Sequence, residues 1–433
     1  MRLHLAPLLA AAFAIPVSFA QTGDPARAVP AAAPAAPPVA SNTISLREAL
    51  ETALAHNPDL ASARYELEST EGARQQAAAR PNPTIGLDVE DTRRATRSTT
   101  VLLTQPFELG GKRTARIAVA DRSRDVAELQ LAAQTAQVRA AVTSAYFDAL
   151  VAQERVRLAE SSLSLAEGAS SAANKRVTAG KISPVDETRA RVAESGVRIE
   201  LLQARAEQRS AIHALRAATG APPGSFDAVS GAALEMPTPI SDADLARRLA
   251  DAPAIRQAQR DTERLAAVAE LERSRGTPDV TVSLGAKRDA EAGRNMAVLG
   301  VSVPMPIFDS NRGAQLEALR RLDKAISDAR GTALRVETEA LQSHERLLTA
   351  RAEVESLQRD VLPGAQGAYE AAAKGFDLGK FGFLDVLDAQ RTLIAAKGQY
   401  LRALAETHRS RIELDRLLGI SDQITPAQRP VQP

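Results

Sequence analysis

Two aspartates near the C-terminal end of the chain carry its clearest chemical signal. Asp385 and Asp388 stand three residues apart where a helix is predicted to begin, so their side chains share one side of that helix. Carboxylates this close repel each other unless cations or protons offset the charge. The spacing predicts a cation-attracting site or, as the alternative, acids that favour the dipole at a helix start.

A third acid, Asp186, occupies the matching place in an earlier segment of the chain. There Ser183 can cap a helix and Pro184 suits its first position, so Asp186 would complete a capping-box-like pattern. Asp186 therefore has two open roles, a share in a cation-attracting constriction or a local role at the helix start.

Other chemical patterns are weaker. The run Gly110–Arg113 is not a phosphate loop, because Pro106 stands where the first glycine belongs, and it predicts a strand-to-helix junction. The absence of cysteine excludes disulfides, thiolate ligands, cysteine nucleophiles and a lipidated N-terminal cysteine. The histidines form no ligand-like pair; they are His4, His56, His213, His344 and His408. We predict no enzyme, no cofactor and no dedicated metal site.

The composition of the 433-residue chain points to long helices. It has nine Phe, four Tyr and no Trp, so it lacks the usual large core residues. This favours close packing of small side chains between long helices. The formal net charge of +1 gives no reason to predict a nucleic-acid partner.

The ends of the chain are typical of an exported protein. Arg2 precedes an apolar stretch, and Ser18 and Ala20 place small residues at the cleavage positions, so residues 1–20 are predicted to be a signal peptide. Residues 21–44, rich in Ala and Pro, are predicted to be an extended tether. Residues 420–433 form a predicted C-terminal tail.

The remaining sequence is a duplication. One copy spans residues 45–220, a linker spans 221–240, and the second copy spans 241–419. Each copy is predicted to hold two helices, two strands, a very long helix, a glycine-containing turn near residue 180 or 380, and a final helix. The two turns match at a constant offset, with Ala179–Asp186 facing Leu378–Asp385.

The predicted long helices carry heptads in which alanine alternates with larger aliphatic residues. The series in the second copy is Leu319, Ile326, Ala333, Ala340, Leu347, Val354 and Val361. Such seams allow close helix–helix approach. An ordinary coiled-coil rod is one interpretation of this pattern.

Alternating apolar residues predict four strands, at about 84–91, 99–106, 279–288 and 295–304. Their length suits a tilted crossing of an outer membrane. Four strands cannot close a barrel, and an open edge in lipid leaves backbone groups unpaired. The chain is therefore expected to share a barrel with one or two further copies, unless the strands form a soluble hairpin domain.

Several motifs resemble those of one family; they are Glu90–Arg93, Glu108–Arg113, Gly180–Thr188, Ser283–Asp289 and Leu384–Arg391. From Ser45 to Gly419 the chain resembles the TolC family of outer-membrane efflux channels. Within that family it resembles the outer-membrane subunit of cobalt–zinc–cadmium tripartite efflux systems.

The resemblance implies a mainly α fold with a small membrane β-barrel. Three identical chains would share a twelve-stranded barrel in the outer membrane of a Gram-negative bacterium, and their coiled-coil helices would form an α-barrel in the periplasm. It also implies a passive exit duct for divalent cobalt, zinc and cadmium. The implied partners are a periplasmic adaptor, an inner-membrane proton-driven pump of the resistance–nodulation–division type, and outer-membrane lipid.

The resemblance also implies roles for the turns. Asp385 and Asp388 match aspartates that ring the constricted periplasmic entrance, with a weaker case for Asp186. The implied adaptor contacts lie at the hairpin tips; they are Gly180, Lys181, Gly379, Lys380 and Gly382.

Other functions stay open, and the aromatic content departs from what is usual for membrane barrels. A multidrug or type I secretion channel would share the fold, whereas a periplasmic adaptor or coiled-coil scaffold is expected to carry only one helical hairpin. Phe107 and Phe308 are almost the only aromatic residues near the predicted strands, although membrane barrels usually carry aromatic girdles.

Overall fold

A computed structural model describes residues 43–91, 93–231 and 236–420. The predicted signal peptide, the tether up to residue 42 and the tail from residue 421 lie outside the described residues. Within the described ranges, no helix combines the length and apolar character needed to cross a membrane.

The first repeat is built around an uninterrupted helix of 67 residues. Its helices are α1 (Leu46–His56), α2 (Pro58–Ala78), α3 (Lys112–Thr178) and α4 (Pro184–Thr219). The break between α1 and α2 is local in origin. The Asn57 side chain accepts hydrogen bonds from the amides of Asp59 and Leu60, at 2.9 and 3.3 Å, and Pro58 needs no amide partner at the first helical position.

The second repeat contains the same succession with one interruption. Its helices are α5 (Asp242–Ala250), α6 (Pro253–Arg275), α7 (Arg312–Ser356), α8 (Leu362–Asp377) and α9 (Phe383–Leu418). The predicted long helix of this copy runs from Arg312 to Asp377, and a π-helical turn at Leu357–Val361 divides it into α7 and α8.

Proline explains the interruption. Pro363 has no amide hydrogen, and in a regular helix its ring would clash with the carbonyl of Arg359. The wider π turn relieves this clash, and the Leu362 amide donates to the Leu357 carbonyl, five residues earlier. The predicted heptad series therefore loses its register before it reaches Val361.

Four strands form one antiparallel sheet that joins the repeats. Two short strands, β1 (Thr43–Ile44) and β4 (Ala228–Val229), pair separately. The sheet contains β2 (Thr84–Glu90), β3 (Ser98–Phe107), β5 (Val280–Asp289) and β6 (Arg294–Ser302), in the order β2-β3-β5-β6. The hairpin of one repeat pairs with that of the other through β3 and β5, so β2 and β6 are the edge strands.

The sheet has one apolar face, which lies exposed. Register places Ile85, Leu103, Leu284 and Leu299 in a single row across the four strands, and all four side chains are exposed. The opposite face is largely polar. There Lys287 of β5 reaches across β3 to Glu90 of β2, with 2.8 Å between Nζ and Oε2.

The helices lie side by side in an order that follows that of the strands in the sheet. Near the sheet, α2 packs on α3, α3 on α6, and α6 on α7. Further from the sheet, α3 packs between α4 and α9, and α9 also contacts α7 and α8. Ion pairs connect neighbours in the row, such as Arg74 of α2 with Asp121 of α3 at 2.7 Å. Among the described residues, α3 thus packs between neighbours on both sides along its length.

The main core lies where the short elements cross the long helices. It is built from aliphatic and small residues of α1, α2, α3, α4 and α9; its fully buried members include Leu60, Val142, Leu215 and Leu404. Tyr146 of α3 closes one side by donating its hydroxyl to the Ser230 carbonyl. The core thus needs few bulky side chains.

The heptads are buried only in part. Ala340, Leu347 and Val354 in the middle of the second-copy series are buried, whereas Leu319 and Ile326 are exposed. The exposed positions lie on α7, which ends the row of helices near the sheet. The described part of one chain therefore leaves that portion of the seam uncovered.

Candidate functional site

The first hairpin tip connects α3 to α4 through a tight reversal. Gly180 adopts a left-handed conformation with φ of 67°, which a residue with a Cβ rarely adopts. The amides of Gly180 and Lys181 donate to the carbonyls of Val177 and Arg176, at 2.9 and 2.8 Å. These bonds satisfy the last carbonyls of α3 and turn the chain back.

Asp186 lies at the beginning of α4 with a different partner from the one predicted. Ser183 caps the helix by accepting from the Val185 amide at 3.2 Å, and Pro184 is the first helical residue, as predicted. In place of the capping box, the Asp186 carboxylate approaches the Arg189 guanidinium at 3.5 Å. The negative charge of Asp186 thus faces a positive one on its own helix.

The second hairpin tip has the same backbone geometry. Gly379 has a φ of 73°, and the Lys380 amide donates to the Gly375 carbonyl at 2.8 Å. At the start of α9 the Asp385 carboxylate accepts the Gly382 amide at 2.8 Å. The acid that reaches back to its helix start is therefore Asp385, not Asp186.

Asp388 lies one turn further along α9, exposed to solvent like Asp385. Its backbone carbonyl accepts from the Thr392 hydroxyl at 3.0 Å. The two acids of α9 thus differ: Asp385 combines a charge with a capping bond, whereas Asp388 offers an exposed carboxylate.

An aromatic cluster lies behind the second tip. The rings of Phe376 and Phe383 meet edge to face at 5.9 Å between centres, and the Phe381 ring lies against Gly375. The Arg176 guanidinium of α3 lies over Phe376 at 3.7 Å from the ring centre. The contact connects the two hairpins, since Arg176 belongs to the first repeat and Phe376 to the second.

Sequence reasoning missed this cluster, although a signal was present. Phe376, Phe381 and Phe383 lie within eight residues of a chain that has nine phenylalanines. The partner Arg176 was not identifiable, because 200 residues separate it from Phe376.

The second tip exposes more apolar surface than the first. Leu378, Phe381 and Leu384 are exposed there, next to Lys380. At the first tip the exposed large apolar side chain is Val185. The tips thus combine lysines with apolar side chains, and the apolar part lies mainly on the second repeat.

The histidines lie apart from the tips. His344 is buried and its Nε2 lies 3.0 Å from the Ile240 carbonyl, while the buried His408 ring stacks on Phe147 at 3.9 Å. His56 and His213 are exposed, and His4 lies outside the described residues. No cluster of three or more His, Asp or Glu side chains in the described ranges could hold a metal ion.

The run Gly110–Arg113 forms the predicted strand-to-helix junction. The Lys112 ammonium binds Asp279 at 2.7 Å, and Arg113 donates to the Ala78 carbonyl at the end of α2, also at 2.7 Å. Gly110 packs so closely on Thr277 that a Cβ would clash. Lys112 and Arg113 thus connect the start of α3 to the residue that precedes β5 and to the end of α2.

The fold and the hairpin tips together define a class of protein. Its members have long antiparallel helices, a small sheet with an exposed apolar face, and acidic residues at the hairpin tips. Residues 49–221 and 245–420 match the family described as Outer membrane efflux protein. The chain belongs to this family, and the two matched stretches correspond to its two repeats.

Individual relatives agree with this assignment. The chain is 43% identical over 386 residues to the cobalt-zinc-cadmium resistance protein CzcC of Cupriavidus metallidurans, covering 89% of this chain and 92% of that protein. It is 30% identical over 294 residues to the nickel and cobalt resistance protein CnrC of the same organism, covering 66% and 69%. The solved outer-membrane channel OprN has a similar fold, with a TM-score of 0.75, 22% identity, and coverage of 86% of this chain and 89% of that one.

Proposed function

We propose that the chain is the outer-membrane subunit of a tripartite efflux system that exports divalent heavy-metal cations. The observation that carries the proposal is the four-stranded sheet, whose apolar face is exposed and whose edge strands β2 and β6 each have one partner among the described residues. Such a sheet can enter a lipid bilayer only as part of a closed barrel.

Closure by three copies accounts for the open edges. Because β2 and β6 run in opposite directions, β6 of one copy can pair antiparallel with β2 of the next. The exposed Leu319 and Ile326 of α7 then meet a neighbouring helix. Twelve strands and a ring of long helices result, the homotrimer that the family resemblance implies.

The tips then converge at the periplasmic end of the duct. Asp385 and Asp388 from three chains place six carboxylates around one axis, with Asp186 as a weaker contributor because Arg189 offsets its charge. Such a ring attracts cations and disfavours anions. The chain itself supplies no catalytic group in this function and acts as a passive duct.

The tips are also the proposed contact for a periplasmic adaptor. Lys181 and Lys380 are exposed, and Leu378, Phe381 and Leu384 give the second tip an apolar surface. We assign the adaptor contact to Gly180, Lys181, Gly379, Lys380 and Gly382, and we place an inner-membrane proton-driven pump behind the adaptor.

The cargo assignment rests on the named relatives. CzcC is a cobalt-zinc-cadmium resistance protein and CnrC a nickel and cobalt resistance protein. We therefore propose divalent cobalt, zinc and cadmium as the cations that pass through the duct. The test is growth of a strain that lacks this protein on graded concentrations of these metals and of several drugs.

The expected result is greater sensitivity to cobalt, zinc and cadmium, restored by the wild-type chain, with unchanged drug tolerance. Sensitivity to drugs with unchanged metal tolerance would instead identify a multidrug channel of the same fold. A protein found only in the soluble periplasmic fraction would contradict any channel function.

A further inference from the structure

The connector between β6 and α7, residues 303–311, presents large apolar side chains to the outside. Met305 is 79% exposed, Ile307 is 71% exposed and Phe308 is fully exposed. Apolar side chains of this size are normally covered when they lie side by side. The connector therefore needs a partner surface.

This exposure does not result from a loosely held loop. At one end Ser302 is still paired with Thr281 in the sheet. At the other end the Asn311 side chain donates to the Glu272 backbone carbonyl at 2.7 Å. The backbone amide of Asn311 donates to the Asp309 carboxylate at 2.9 Å. Both ends of the connector are thus anchored to the fold.

Two prolines lower the number of amide donors in the connector. Pro304 and Pro306 have no amide hydrogen, and the Ile307 amide donates to the Met305 carbonyl at 2.9 Å across a tight turn. An unpaired amide is costly in lipid, so each proline lowers the cost of placing this backbone at the edge of a bilayer. The same prolines make the segment a poor partner for an added strand.

Position indicates which surface covers the connector. It continues the strand that carries Leu299 and Val301 on the exposed apolar face, and it lies at the end of the sheet next to the helices. Phe107, also exposed, lies at the same end of β3. Phe107 and Phe308 are the two aromatic residues of the sheet and its helix-side connections, and exposed Phe side chains can insert at the boundary between lipid headgroups and acyl chains.

The first repeat offers an internal comparison. Gly111 and Asn311 are both left-handed residues directly before a long helix, so Glu108 and Phe308 occupy matching positions. Glu108 is an ion-paired side chain held by Arg116, whereas Phe308 is fully exposed. The second repeat thus carries an outward aromatic side chain where the first repeat has an internal ion pair.

We propose that the β6–α7 connector is an interfacial anchor, in which Met305, Ile307 and Phe308 insert into the periplasmic leaflet of the outer membrane. The inference rests on the proposed membrane channel. It supplies an anchor for a barrel that has few aromatic residues and a chain that has no cysteine for lipidation.

The absence of tryptophan allows a direct test. Phe308→Trp creates a single fluorescent reporter at a fully exposed position, where the substitution disturbs no packing. Leu284→Trp places the reporter in the middle of the apolar face, and Ser161→Trp places it on an exposed site of α3. Each full-length variant is reconstituted in phosphatidylcholine vesicles whose acyl chains carry bromine either near the glycerol or near the methyl end.

We expect Phe308→Trp to emit at shorter wavelength than Ser161→Trp and to lose most intensity with bromine near the glycerol. Leu284→Trp should lose most with bromine near the methyl end, and Ser161→Trp should lose none. If Leu284→Trp is quenched and Phe308→Trp is not, the anchor is wrong while the channel stands. If acrylamide in the water also fails to quench the Trp of Phe308→Trp, a neighbouring copy covers the connector in place of lipid. If neither reporter is quenched, both the anchor and the proposed membrane channel are wrong.

Discussion

The guanidinium carbon of Arg176 lies 3.7 Å from the centre of the Phe376 ring, so a cation–π contact joins the two hairpins of the chain beside their tips. Such contacts contribute about 0.5–2 kcal/mol, depending on how far they are removed from water. Any movement that separates the hairpins must break this contact.

Arg176→Gln or Phe376→Leu is expected to raise single-channel conductance in planar bilayers, because either change weakens the contact between the hairpins. The double variant should raise conductance no more than the larger single change, since both remove the same contact. Arg191→Gln is a matched control, because Arg191 forms an ion pair with Glu187 within α4. Additive effects of the two changes would contradict a shared contact.

The two acids of α9 should differ in what their removal does. Asp385→Asn and Asp388→Asn should each weaken the block of the channel by multivalent cations, because each removes a charge from the proposed ring. Asp385→Ala also removes the bond to the Gly382 amide, at a cost of about 0.5–2 kcal/mol to the helix start. Faster proteolysis of the second tip in Asp385→Ala than in Asp385→Asn measures that cost.

Asp360→Asn serves as the control for these variants, because Asp360 is an exposed acid next to Arg359 on the π turn. It should leave cation block unchanged. Unchanged block in Asp385→Asn and Asp388→Asn would leave these acids only a role at the helix start.

Gly375→Ala should disturb the second tip. An added Cβ would fall on the Phe381 ring, and overpacking of this kind costs about 1–3 kcal/mol. Gly168→Ala in α3 meets no atom within 4 Å and should stabilise its helix by roughly 0.5–1 kcal/mol. Proteolysis at the tip should accelerate in Gly375→Ala alone; equal rates in both variants would show that Phe381 moves aside freely.

The buried pair of Arg411 and Asp415 predicts a pH dependence. Burial raises the pKa of Asp415 even though Arg411, with its Nε 2.9 Å from the carboxylate, lowers it. The folded protein thus holds this proton more tightly than the unfolded chain, so the contribution of Asp415 to stability falls as the pH rises above the ordinary carboxylate range. Thermal unfolding against pH should show this slope in the wild type and lose it in Asp415→Asn.

Removal of the arginine should make the protein less stable at neutral pH. Arg411→Met leaves the buried Asp415 carboxylate without its guanidinium, and removing one partner of a buried pair costs about 3–5 kcal/mol. Glu413→Gln, which breaks a more exposed pair with Arg416, should cost about 1 kcal/mol or less. Equal losses in the two variants would contradict the importance of burial.

Much of the fold followed from local patterns. The left-handed Gly180 and Gly379, the cap at Ser183 and the strand alternation around Ile85 all act within a few residues, so their positions were predictable. Pro363 also carried a local signal, but the heptads around it pointed to a continuous helix. The long helix does continue there, because a π turn can absorb a proline without ending the helical direction, but the heptad register does not.

The candidate site was predictable in outline but not in its contacts. Equal spacing from the turn glycines placed Asp186 and Asp385 at matching helix starts, yet one pairs with Arg189 and the other binds the Gly382 amide. Which bond forms depends on side-chain orientation at each helix start. The repeat pattern contains no information on that choice.

The sequence by itself determined the two repeats, the positions of their turns and the residues that compose the apolar face, because caps, glycine conformations and alternation are local effects. Only the tertiary structure decided that β3 pairs with β5, that Arg176 reaches Phe376, and that residues 303–311 leave Phe308 uncovered. Those outcomes depend on how distant helices and strands pack against each other. That packing is settled by the sum of many contacts and not by any single stretch of sequence.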